Sequence, residues 1–72
     1  MTLGVATEQM RMGQQVRRSG CNGKGMWIAL QIPDAQSKMT EPYIYMKNAQ
    51  GGLIPWLCSQ ADLLAHDWEL AR

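Results

Sequence analysis

The sequence lacks the residues from which a catalytic or metal centre is ordinarily built. It has one histidine, His66, and two cysteines, Cys21 and Cys58. Neither cysteine has a CxxC or HxxxH neighbour, so the closed tetrahedral set that zinc requires is missing from a single chain. Cys21 is a conceivable nucleophile, but no second histidine exists to act as its base. His66 follows Asp62 by four residues, and such a pair on a short helix reads as a surface contact rather than half of a relay. No acid, base and nucleophile come together, so a non-enzymatic protein without a cofactor is expected.

A long apolar run, a strong charge bias and a leader are missing as well. No stretch approaches the ~20 apolar residues that span a bilayer, so no membrane partner is expected. Seven cations against six carboxylates leave a net charge of +1, whereas general binding of DNA or RNA draws on a strongly basic surface. "MTLGVATEQ" has neither the basic start nor the apolar block of a signal peptide. A soluble cytosolic protein is therefore expected, and in that compartment a Cys21–Cys58 disulfide is disfavoured. Repeats and low-complexity tracts are absent.

What remains is a chain of 72 residues, 46% of them apolar, which reads as one domain over residues 1–72. Ordering it costs roughly 1.5 kcal/mol per residue, on the order of 100 kcal/mol, about what a core of this size returns. With no metal and no disulfide, association into a homo-oligomer is the expected source of further stability.

The apolar spacing gives an α+β fold: a small antiparallel sheet of three to four strands flanked by a short N-terminal and a short C-terminal helix. Leu3, Ala6 and Met10 form a helical stripe, with Thr2 as N-cap and Gly13 past the end. Residues 14–19 read as a strand with Val16 and Arg18 on one side and Arg17 on the other. From Met26, alternation sets Ile28, Leu30 and Ile32 against Trp27, Ala29 and Gln31. "PYIYMK" sets Tyr43 and Tyr45 against Ile44 and Met46. "NAQGG" is a turn, and "LIPW" a short fourth strand that Pro55 assigns to an edge. Ser59 and Asp62 resemble a capping box for a last helix, with Ala61, Leu64, Ala65 and Trp68 as its apolar stripe.

One stretch carries most of the chemistry. "VRRSGCNGKGM", Val16 to Met26, holds three cations and three glycines. It fails the GxxxxGK[ST] pattern, since Gly25 follows Lys24, and the dinucleotide fingerprint requires a helix where a strand follows here. A hairpin loop with Asn22-Gly23 at its turn explains the glycines by itself. The same glycines also let backbone N–H groups approach an anion, with Arg17, Arg18 and Lys24 close by in sequence. The aromatics divide similarly. Trp68 belongs to the apolar stripe. Trp27 and Trp56 either pack in a subunit contact or stack on a flat ring, and the Tyr43/Tyr45 surface suggests an interface.

Taken together, "VRRSGCNGKGMWI", "YIYMKNAQGGLIPWLCSQADLLAHDW" and the leading helix resemble the second family of Thoeris anti-defence proteins, small proteins of phages. The family pattern is V-R-R-x-G-W-N-G-K-G-M and, near the end, P-W-x-x-S-Q-x-D-L-L-A-x-D-W. The chain follows it from Val16 to Met26 and from Pro55 to Trp68, with one departure: Cys21 stands where the family has Trp. The resemblance implies a homotetrameric sponge in the host cytoplasm. Such a sponge sequesters glycocyclic ADP-ribose, the messenger of the Thoeris defence enzyme, so that the downstream effector is not triggered. Some members also hold cyclic dinucleotides at a separate site.

A cyclic ADP-ribose-type ligand needs an aromatic plate, polar groups for its sugars and positive charge for its pyrophosphate. The chain offers Trp27 or Trp56 for the first, and Asn22, Gln60 and Asp62 for the second. Arg17, Arg18, Lys24 and the glycine amides suit the third. Cys21 marks the place of a lost ring, worth about 1–3 kcal/mol if that ring stacks on a base. The competing expectation is a protein-interaction or virion-associated module on the same fold, motivated by Cys21 and by the Tyr43/Tyr45 surface.

Overall fold

The computed structural model describes residues 1–20 and 25–71. Cys21, Asn22 and Lys24, three of the expected ligand contacts, lie outside the described residues. The elements run α1 (Leu3–Arg11), β1 (Val16–Arg18), β2 (Trp27–Gln31), β3 (Tyr43–Lys47), β4 (Leu53–Pro55), α2 (Gln60–Leu64) and β5 (Trp68–Leu70). The five strands form one antiparallel sheet in the order β4-β3-β2-β1-β5. The α+β class stands, with five strands in place of three or four. None of the described helices is long and apolar enough to cross a membrane.

Local chemistry sets the first helix as its sequence suggests. Thr2 Oγ1 accepts the Val5 N–H at 3.3 Å, satisfying one of the donors that a helix start leaves open. Past the C-cap Met12, Gly13 takes φ +89°, a left-handed conformation that closes helices at little cost for glycine. Ala6 and Met10 are buried against Val16, Ile28 and Trp68. That contact defines the covered face of the sheet.

The fifth strand is the main correction. The Ala61, Leu64, Ala65 and Trp68 stripe predicts a continuous helix, but α2 ends at Leu64 and Ala65 is extended at ψ 152°. A five-residue helix has little stability of its own. β1 would otherwise present an unpaired edge, and an edge row of N–H and C=O groups is a strong template for pairing. Residues 68–70 satisfy it, in the register Val16↔Leu70, Arg17↔Glu69 and Arg18↔Trp68. Trp68 reaches the core as expected, 3% exposed, but from a strand. The Met1 N-terminal amine donates to the Trp68 carbonyl at 2.8 Å, and the Trp68 N–H donates back to the Met1 carbonyl at 3.1 Å.

At the other edge, β4 carries Pro55, where a missing N–H does no harm. The turn before it is organised by Asn48, whose Oδ1 accepts the N–H groups of Gln50 at 3.1 Å and Gly52 at 2.8 Å. Gly51 adopts φ +87° there.

Candidate functional site

Strand alternation divides the candidate residues between two faces. Ile28 pairs with Val16 and Met46, so these side chains share the covered face. The opposite face receives Arg17 and Glu69, then Trp27 beside Lys47, Ala29 beside Tyr45 and Gln31 beside Tyr43. Leu53 and Pro55 extend this row across β4. No described helix lies over it: α1 makes its contacts from the Ala6/Met10 side.

The open face has a ridge and a hollow at each end of it. Trp27 and Tyr45 form the ridge, with ring centroids 5.9 Å apart and planes at 72°, the edge-to-face geometry aromatic rings prefer. Beyond Trp27 lies a polar hollow of about 190 Å³ lined by Gln15, Arg17, Gly25, Met26, Trp27, Lys47 and Ala71. Beyond Tyr45 lies an apolar one of about 220 Å³, to which Gln31, Met39, Tyr43, Leu53 and Pro55 contribute.

Charge distinguishes the first hollow. Arg17 Nε donates to Glu69 Oε2 at 2.8 Å, with both side chains about 40% exposed. The guanidinium has five N–H donors, and among the described residues this pair engages only the Nε one. Lys47 has no ion-pair partner among the described residues. An indole, an ammonium with no ion-pair partner among the described residues and a partly committed guanidinium thus surround a space lined also by Gly25. Such a set suits a flat ring joined to a phosphate.

The other expected contacts fall elsewhere. Arg18, on the covered face at the end of β1, donates from Nε to Asp67 Oδ1 at 2.8 Å and from NH1 to Asp62 Oδ1 at 3.1 Å. The expected cation Arg18 and the expected sugar contact Asp62 therefore hold each other. Trp56 is half-buried, edge-on to Trp68 with centroids 6.0 Å apart and planes at 88°. Its backbone N–H donates to the Ile44 carbonyl at 3.1 Å. Gln60 is exposed at the first turn of α2. Within one chain, Arg17 and Trp27 come together, whereas Arg18, Trp56, Gln60 and Asp62 do not join them.

Lys47, Gln15 and Met26 were not anticipated as lining residues. Lys47 was legible: it continues the Tyr43, Tyr45 alternation, and a hairpin between β2 and β3 sets it opposite Trp27. Gln15 has no such signal, since it lies in the irregular link between α1 and β1. Asp67 and Glu69 were also unanticipated, because the expected helix concealed their pairing across β1 and β5.

Two comparisons bear on this chain. The family model described as Tad2-like, the Thoeris anti-defense 2-like domain, matches residues 1–71. A protein of Bacillus phage SP01 named "Thoeris anti-defense 2" is 36% identical over 83 residues, covering 97% of this chain and 93% of the relative.

Proposed function

The chain belongs to the Thoeris anti-defense 2-like family, and on that premise we propose that it captures a cyclic ADP-ribose-type nucleotide and holds it unaltered. The observation that carries this reading is the polar hollow on the open sheet face. Trp27 supplies a plate for the adenine, Lys47 and Arg17 supply charge for the pyrophosphate, and the Gly25 backbone lies alongside. Capture of this kind calls on no acid, base or nucleophile.

Size argues for more than one subunit. Pockets that enclose a ligand of this class are ~300–1,000 Å³, and the hollow holds about 190 Å³. A second copy, facing the first, would complete the envelope. It would also cover Leu53, which belongs to the same face and is 64% exposed in a single chain. The proposal keeps Cys21, Asn22 and Lys24, which lie outside the described residues, as ligand contacts, and assigns Gln60 and Trp56 to a site completed by a neighbouring subunit. A homo-oligomer, expected to be a tetramer in the host cytoplasm, is part of the proposal.

A second reading, a protein-interaction module, draws on the apolar hollow around Met39, Tyr43 and Leu53. Calorimetric titration with cyclic ADP-ribose isomers and cyclic dinucleotides, alongside the solution mass, separates the two. Binding by an oligomer supports sequestration. A monomer silent toward every nucleotide, with a host protein bound in their place, would overturn it.

A further inference from the structure

On the covered face, where β1 runs out toward the glycine loop, three charged side chains form a cluster that the nucleotide hollow does not use. Asp67 binds three successive residues of the loop stem. Its Oδ1 accepts Arg18 Nε–H at 2.8 Å, its Oδ2 accepts the Gly20 N–H at 3.3 Å, and its carbonyl accepts the Ser19 N–H at 3.0 Å. Asp62 adds a second hold on Arg18 at 3.1 Å.

Asp62 is itself anchored. Its N–H donates to Ser59 Oγ at 3.1 Å, and its carbonyl accepts the buried Trp68 indole N–H at 3.0 Å. The stem of the glycine loop is therefore tied through two aspartates to the core tryptophan. The Arg18 side chain is 15% exposed, against 40% for Arg17, so water weakens these charge-assisted bonds comparatively little. A phosphate approaching Arg18 would also meet two carboxylates. The arrangement suits holding a backbone in place and disfavours capturing an anion.

We propose that Asp67, with Arg18 and Asp62, is a positioning set that fixes the stem of the glycine loop, and that it acts on ligand capture through the loop and not by touching the ligand. The effect on capture rests on the sequestration reading; the fixing of the stem does not.

The test uses the full chain and two variants. Asp67→Asn keeps the side-chain volume and an oxygen for Arg18, but removes the charge and one acceptor. Arg18→Lys keeps the charge but lacks the planar fork that engages both aspartates. Amide hydrogen exchange without ligand is read first, at Ser19 and Gly20, with Val16 and Ile28 as internal references. Protection at Gly20 should fall at least tenfold in Asp67→Asn while the references hold. Calorimetry with cyclic ADP-ribose follows, at a temperature where all proteins are folded. Both variants should bind about tenfold more weakly at unchanged stoichiometry, and Asp67→Glu, which restores the carboxylate, should recover part of the loss.

A purely structural role would lower the melting temperature and leave the affinity of the folded protein alone, which would overturn the proposal. Unchanged Gly20 protection would overturn it too. If Asp67→Asn loses protection everywhere, Arg18→Lys decides on the same two readouts. If the unaltered protein ignores the probe, sequestration fails, and the exchange result alone supports or refutes the fixing of the stem.

Discussion

Replacing Trp27 by alanine separates ligand capture from folding more cleanly than any other change. Trp27 is half-buried on the open face, where its main aromatic partner is Tyr45 at 5.9 Å. An edge-to-face pair contributes about 0.5–1.5 kcal/mol beyond area. A small domain loses roughly 4–8 °C of melting temperature per kcal/mol, so loss of the ring pair alone should lower the melting temperature by about 2–12 °C and leave the variant folded. Stacking of a base on an indole is worth about 1–3 kcal/mol. At 1.4 kcal/mol per decade, the affinity for a cyclic ADP-ribose-type nucleotide should fall about five- to 150-fold. The assay is a calorimetric titration well below the melting transition, with circular dichroism confirming the fold. Unchanged affinity in a folded Trp27→Ala protein would refute the assignment of Trp27 as the plate.

Trp68→Ala should behave in the opposite way. Trp68 is 3% exposed and donates to the Asp62 carbonyl; deleting such a ring costs about 3–5 kcal/mol, so thermal melts should show most or all of the cooperative transition lost. Gly51→Ala should lower the melting temperature by several degrees, since φ +87° disfavours any side chain by about 1 kcal/mol. Gly4→Ala, in α1 with only Thr2 Oγ1 at 3.9 Å from the new methyl group, should raise it slightly by the same measurement. Acid should act through Asp67, whose carboxyl the Arg18 hydrogen bond holds below its ordinary value of 3.8. A carboxylate with a depressed folded pKa adds stability above the unfolded value, which is lost as pH falls through the folded one. Urea melts from pH 6 downward should therefore show wild type losing its advantage over Asp67→Asn below about pH 4. The comparison with that variant isolates Asp67 from Asp34, whose carboxyl the Gln36 backbone N–H also holds below its ordinary value.

The parts of the fold legible in the sequence are those fixed by local chemistry. Thr2, Gly13, Asn48 and Ser59 act where caps and turns are expected, and alternation in residues 27–31 and 43–47 orders both faces of the central hairpin. β5 was not legible because Ala61, Leu64, Ala65 and Trp68 fit a helical period, and what breaks that period is the unpaired edge of β1, more than 40 residues earlier in sequence. The same long-range pairing decides the charges. Arg17 and Arg18 are neighbours in sequence, yet one meets Glu69 on the open face and the other meets Asp62 and Asp67 on the covered face. No local pattern distinguishes them. Alternation over residues 26–32 already sets Trp27 opposite the Ile28 face, whereas Trp56, just past β4, carries no such signal and packs edge-on against Trp68.

The most direct test of capture without chemistry is recovery of the bound molecule. Purified protein is mixed with glycocyclic ADP-ribose, freed of the unbound fraction and heat-denatured, and the supernatant is analysed by chromatography with mass detection. The account predicts that the nucleotide returns intact, in proportion to the protein. A hydrolysed product, or an empty supernatant, would contradict it.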